Sequence, residues 1–213
     1  MSSDSPSTIV RKAERGVYDL ETLNAIIDEA PVCQVGFLDD GWPVVIPTLH
    51  VRVDDHIYLH GSHATRMIRT LKKGVRTCVT VSILDGLVLA RSALHHSVNY
   101  RSAVVFGESK HVGDLETRRR VLDALVDKIA PERRSTLRPM TEDEVRKTAV
   151  VSIPIEHASA KIRSGSTDDD PADTTLPAWG GVIPVSLVYG APEPDEFVDP
   201  SATKPEHLGF FLP

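Results

Sequence analysis

The chain has 213 residues, 41% of them hydrophobic and 25% charged, and carries a net charge of −6. That length suits one domain with a sizeable core, or one domain with tails. The acidic balance argues against nucleic acid and anionic membrane surfaces as partners, and no apolar run approaches the roughly 20 residues of a membrane span.

The start of the chain, Met1 to Ser7, is Ser-rich and lacks a charged region followed by an apolar core. No secretory signal is read there, and a cytoplasmic address is expected. Residues 1–17 read as an arm with basic residues Arg11, Lys12 and Arg15. Asp19 can cap a helix whose Leu20, Leu23, Ile26 and Ile27 share one face, stopped by Pro31. Val32 to Leu38 then reads as a strand. Asp39-Asp40-Gly41 forms a turn, and Val44 to Val53 a second strand interrupted by Pro47, which marks an edge or a bulge. Ile57 to His60 follows as a third strand of an antiparallel meander.

A short helix comes next, with Ser62 as N-cap, Met67, Ile68 and Leu71 inward, and Gly74 just past its end. Strands return at Thr77 to Leu84, at Leu87 to Leu94 after an Asp85-Gly86 turn, and at Arg101 to Val112. Leu115 to Ile129 is a clear amphipathic helix, and Glu142 to Thr148 a weaker one. Val150 to Ile155 and Ala158 to Arg163 complete the strands. Domain bounds follow: an N-terminal arm (1–17), a barrel domain (18–190) and a Pro- and Glu-rich tail (191–213). Some six antiparallel strands with helices inserted and appended favour a closed or split barrel over a sandwich.

Two segments concentrate chemistry. The loop His60-Gly61-Ser62-His63-Ala64-Thr65-Arg66 leads into a helix, whose first N–H groups can receive an anion beside Ser62, Thr65 and Arg66. An ordinary capped surface helix reads equally well there. Lys72 and Lys73 could add charge. The run His95-His96-Ser97-Val98-Asn99-Tyr100-Arg101-Ser102 packs polar groups ahead of an apolar strand. It fits a polar ligand with an aromatic body, or a self-satisfied polar turn. Six of the nine histidines (50, 56, 60, 63, 95 and 96) fall in the barrel half. Adjacent strand residues such as His95 and His96 point to opposite faces, and no Cys or carboxylate joins them at ligand spacing, so no metal site is expected. A hydrolase elbow is missing, and Arg118-Arg119-Arg120 reads as a solvated helix face.

The strings VGFLDDGWPVVIPTLHVR, YLHGSHATRMIRTLKKG, VTVSILDGLVLARSALHHSVNYRSAVVFGE, IPIEHASAKIRSG and LPAWGGVIPV together resemble a known family. They are similar to flavin-nucleotide-binding proteins related to pyridoxamine 5′-phosphate oxidase, whose relatives include nitroimidazole reductases. The resemblance implies a mainly β fold with flanking helices, a six-stranded antiparallel split β-barrel, with FMN at the interface of a homodimer. On the matching segments it places Thr48, Leu49 and His50 along the flavin ring, through backbone groups freed at Pro47. Gly61, Ser62, Thr65 and Arg66 fall at the phosphate, and Val79, Thr80 and Val81 lie against the cofactor. Ser97, Tyr100, Arg101 and Ser102 close the polar side. Trp179 stacks near the ring or serves as a plain core tryptophan. The chain departs from true pyridoxamine 5′-phosphate oxidases at their substrate-binding and C-terminal motifs, which points away from vitamin B6 chemistry. Hydride moves through the flavin itself, so no side chain is named as catalytic. The expected activity is an FMN-dependent oxidoreductase for a small organic substrate, with NAD(P)H as electron donor. The alternatives are a non-catalytic flavin-binding or sensing module, and a split barrel using haem or a deazaflavin.

Overall fold

The computed structural model describes residues 5–199. Residues 5–17 are not free of the domain. Ser7 is buried, the Ile9 N–H donates to the Tyr18 hydroxyl, and β1 (Gly16–Val17) pairs with a later strand. Asp19 caps α1 (Leu20–Glu29) by accepting from the Thr22 N–H, and the helix buries Leu23, Ile26 and Ile27 as its spacing dictates.

The hairpin of β2 (Val32–Asp39) and β3 (Trp42–Leu49) turns at Asp40 and Gly41, both at positive φ. The chain then changes sheets. β3 ends at Leu49 and β4 (Val51–Val53) pairs only with β5 (His56–Ser62), so the expected meander is split between two sheets. The break falls at the buried His50, not at Pro47. Pro47 is tolerated inside β3 because that strand is the sheet's edge.

The short helix α2 (Arg66–Leu71) starts later than its sequence suggests, with Thr65 rather than Ser62 at the N-cap. The Asp85-Gly86 pair is not a turn. One strand, β6 (Arg76–Leu89), runs through it with a bulge between Leu84 and Gly86, opposite β7 (Ser97–Glu108). Here the extra residue is absorbed within a continuing ladder. The chain continues through β8 (Lys110–His111), α3 (Leu115–Ile129), α4 (Glu142–Lys147), β9 (Thr148–Pro154), β10 (His157–Arg163) and β11 (Gly181–Pro184).

Two antiparallel sheets result. The larger has the order β1-β10-β7-β6-β2-β3 with β11 added on β6, and the smaller β4-β5-β9-β8. Inner side chains of both, such as Val35, Val79, Val105, Leu59 and Ile153, form one core with α1. A second core, including Tyr58, Val121, Leu125 and Val145, lies between the smaller sheet and α3 and α4. The sheets do not close completely, which is the arrangement of a split barrel.

Candidate functional site

Register decides which side chains share a face. Gln34 pairs with Pro47 on one side and Thr80 on the other, and Thr80 pairs with Val104. One pleat along, Gly36 lies between Val45 and Cys78, and Cys78 pairs with Phe106. These two rows point away from the core, because the residues between them are buried. No element of the described chain covers this face at Val45, which is 66% exposed. At its hairpin end a cavity of about 1070 Å³ is lined by Gly36, Val45, Cys78, Phe106, Lys110 and His157. An open face that mixes Pro47, Val45 and Phe106 with Gln34 and Thr80, beside a cavity carrying Arg76 and Lys110 as well as Glu108 and Glu156, can take a flat ring with polar substituents.

The residues implied by the resemblance divide between surfaces. Pro47 and Thr80 lie on the open face, but Val79 and Val81 point into the core. Thr48 and Leu49 are half-buried beside the sheet edge. His50 is wholly buried, its Nε2 lying 2.8 Å from the Ile27 carbonyl and 3.0 Å from Lys128 Nζ. Burial pushes its pKa down to about 4.

The loop before α2 is ordered by its own contacts. Gly61 passes so close to Ile68 that an added Cβ would meet it at 3.2 Å. Ser62 receives the Ala64 N–H on Oγ, and its carbonyl receives both the N–H and the hydroxyl of Thr65. Lys72 donates to His63 Nδ1. Arg66 donates through Nε to Asp39 at 2.7 Å, and Thr70 donates to the other oxygen of that carboxylate. These two contacts, Thr70 first, hold the Asp39 carboxyl below the usual carboxylate range. Arg66 therefore sits at the hairpin end of β2, while Thr48 pairs with Cys33 at the other end, about 20 Å away at the rise of a strand.

The polar run before β7 splits as well. Ser97, Tyr100 and Ser102 are exposed or half-buried. Arg101 turns to the face opposite Tyr100 and Ser102 and is engaged by Glu29 and Asp85, which raise its pKa further.

The C-terminal segment builds a surface that the sequence reading missed. Asp169 receives the backbone N–H and the guanidinium of Arg91, each at 2.8 Å, and is held below the usual carboxylate range by them. Asn99 donates to the Gly165 carbonyl, and Arg163 donates to the Asn99 side chain and the Ser166 carbonyl. These contacts guide the chain to β11, which pairs with the bulged end of β6. The row Val98–Leu87–Ile183 runs across three strands and is exposed throughout. Trp179 lies against Gly181, where a Cβ would meet the indole at 3.0 Å. Only the glycine pair 180–181 and the apolar spacing of 182–185 hint at this strand in the sequence.

Fold and site together define a split-barrel protein with an open, ligand-sized sheet face. The chain belongs to the pyridoxamine 5′-phosphate oxidase family, whose model matches residues 19–162. A search of curated proteins finds no match. Among solved structures the chain is similar to the flavocytochrome Anf3 from Azotobacter vinelandii, at 38% identity over 96% of each chain, with a TM-score of 0.89. It is similar to a FAD- and haem-binding protein from Mycobacterium smegmatis, at 32% identity over 93% of this chain and 97% of that one, again with a TM-score of 0.89. A putative 5-nitroimidazole antibiotic resistance protein from Bacteroides thetaiotaomicron matches at 25% identity over 69% of this chain and 86% of that one, with a TM-score of 0.59.

Proposed function

We propose that the protein is a redox protein binding a flavin nucleotide and a haem, taking electrons from a reduced nicotinamide and acting on a small molecule. The observation that carries this reading is likeness along nearly the whole chain to two proteins described as a flavocytochrome and as binding FAD and haem. The flavin and the haem supply the electron chemistry when bound. The chain's own residues bind and orient them and keep out water.

The open face of the larger sheet, with Gln34, Thr80 and Phe106, supports a flavin ring there. The resemblance read from the sequence implies FMN, whereas the Mycobacterium smegmatis protein binds FAD. We take the nucleotide to be FAD on the strength of that full-length match. The same face supports a homodimer, because its apolar rows are uncovered in one copy. Among the described residues no helix is long and apolar enough to cross a membrane, and Cys33 and Cys78 are free thiols; both accord with a cytoplasmic address.

The test is the absorption spectrum of the purified protein, followed by titration with FAD, FMN, riboflavin and haemin. Saturable binding of FAD and haemin is expected. Failure to bind any flavin sinks the reading, and tighter binding of FMN than FAD overturns the choice of nucleotide. Steady-state NAD(P)H oxidation by the loaded protein separates an oxidoreductase from a module that only binds flavin.

A further inference from the structure

A polar cavity of about 320 Å³ lies where the segment before β1 meets the segment after β10, lined by Arg15, Ile162, Arg163, Ser164, Ser166 and Asp168. Contacts on both sides build it. The Arg15 N–H donates to the Lys12 carbonyl, Lys161 Nζ donates to the Arg11 carbonyl at 2.8 Å, and Gly16 pairs with Lys161. That register sets Arg15 beside the end of β10. Opposite it, Asn99 donates to the Gly165 carbonyl and so fixes the turn that follows Arg163. Apart from Ile162, these lining residues fall outside the stretch 19–162 that the family model matches.

The charge of this cavity is not balanced. Arg163 is only 7% exposed, yet both of its acceptors, the Asn99 side chain and the Ser166 carbonyl, are neutral. Among the described residues no carboxylate reaches Arg163 or Arg15 at ion-pair distance. Burying a guanidinium without a counter-charge is costly, and a second one on the same cavity adds to the cost. An anion held between them offsets both, and the planar fork of arginine donors matches phosphate oxygens in pairs. Ser164 and Ser166 add hydroxyls. The volume exceeds that of a phosphate and reaches the lower end of small-molecule sites. Asp168 forms no ion pair; it repels a bare phosphate but can accept from the hydroxyl of a sugar, as acidic residues do toward ribose.

We propose that this cavity binds a sugar phosphate, with Arg15 and Arg163 on the phosphate and Asp168 on a hydroxyl of the sugar. The group arrives as a free sugar phosphate or as the ribose phosphate of a nucleotide, which present the same chemistry to these residues. The site stands apart from the flavin and haem of the proposed function.

Calorimetric titration of the full chain, loaded with FAD and freed of excess so that a flavin's own phosphate site is filled, tests it. A chain that takes no flavin is titrated as isolated, so failure of the proposed function leaves this test intact. The probes are ribose 5-phosphate, 2′-AMP, inorganic phosphate and ribose. Wild type is expected to bind a sugar phosphate saturably and more tightly than inorganic phosphate, and ribose not at all. Ribose 5-phosphate as the tighter ligand identifies a free sugar phosphate, and 2′-AMP a nucleotide. Loss of one charge-assisted hydrogen bond in Arg15→Gln weakens binding roughly 10- to 150-fold. Asp168→Asn narrows the gap between sugar phosphate and inorganic phosphate, and Arg11→Gln, at a nearby exposed arginine, changes nothing. Circular dichroism reports folding. Should Arg15→Gln misfold, Arg15→Lys, which keeps the charge but loses the fork, is expected to bind measurably more weakly than wild type. No saturable binding, wild-type affinity in a folded Arg15→Gln or Arg15→Lys, or an equal loss in Arg11→Gln overturns the site. Inorganic phosphate binding as tightly as the sugar phosphates overturns the choice of ligand.

Discussion

At the scale of single residues, the most constrained group is His50. Lys128 Nζ lies 3.1 Å from the Ile27 carbonyl and 3.0 Å from His50 Nε2. The Ile27 carbonyl accepts from both Lys128 Nζ and His50 Nε2–H, so Nδ1 is left as a buried acceptor without a partner. Burial pushes His50 down to about 4 and Lys128 down to about 8, and drives the neighbouring Cys33 thiol up to about 12. An unfolded histidine titrates near 6.5, so between about pH 6.5 and 4 the unfolded chain holds more protons at this position. Stability therefore falls as pH drops through that window. Lys128 repeats the effect between about pH 10.5 and 8. Urea midpoints measured at pH 7 and pH 5 are expected to differ less in His50→Gln than in wild type. An equal difference would place the acid sensitivity in other groups.

Asp39 and Arg66 give a second pair of expectations. Thr70 is buried and donates to Asp39, so Asp39→Ala strands its hydroxyl, a loss of about 1–3 kcal/mol. Arg66 is half exposed, and its removal costs the fold less than about 1 kcal/mol. Thermal melts should rank the variants in that order. If the nucleotide phosphate draws on Arg66, Arg66→Ala loses a charge-assisted hydrogen bond of about 1.5–3 kcal/mol. Affinity for the flavin nucleotide then falls roughly 10- to 150-fold, with riboflavin unaffected. Unchanged nucleotide affinity in a folded Arg66→Ala protein moves the phosphate site away from α2.

At the scale of elements, Gly86 is a point of close approach between β6 and β11. A Cβ there would lie 2.9 Å from Val182 and 3.1 Å from the Ile183 carbonyl, so Gly86→Ala must push β11 outward. Overpacking of this kind costs about 1–3 kcal/mol. Limited proteolysis should cut residues 164–184 faster in Gly86→Ala than in wild type, and equal rates would show that β11 adapts. Local signals made α1 and α3 legible: Asp19 and Asp114 cap them, and their apolar spacing matches the buried faces. The bulge at Asp85-Gly86 was not legible, because an aspartate–glycine pair has the same local chemistry in a turn and in a bulged strand. Which sheet β4 joins is decided by its pairing with β5, which itself pairs with β9, and no local pattern carries that. The candidate site shared this limit. Thr80 could be placed beside a ligand from its strand, but the inward turn of Val79, Val81 and Arg101 depended on register.

At the scale of the whole molecule, the open sheet face predicts the assembly. A homodimer formed through Val45, Cys78 and Phe106 is expected to bury more than about 2,000 Å² in total, the range of obligate interfaces. Light scattering should report a dimer at micromolar concentration, and Val45→Asp should yield monomer with weakened flavin binding. A monomeric wild type, or a dimer undisturbed by Val45→Asp, would assign that face another role.

The pairing of β11 with β6 also sets an order of manufacture. β11 is the last of the described strands, yet its partner in the sheet is translated long before it. At synthesis rates of about 5–20 residues per second, Pro184 leaves the peptidyl-transferase centre roughly 5–20 s after Leu89. During that interval the strands from β7 to β10 emerge and complete the core, while the flank of β6 stays bare. A ribosome stalled before Gly181 therefore holds a sheet whose β6 flank is still an open edge, so any ligand that rests on β11 can be bound only after Pro184 has emerged.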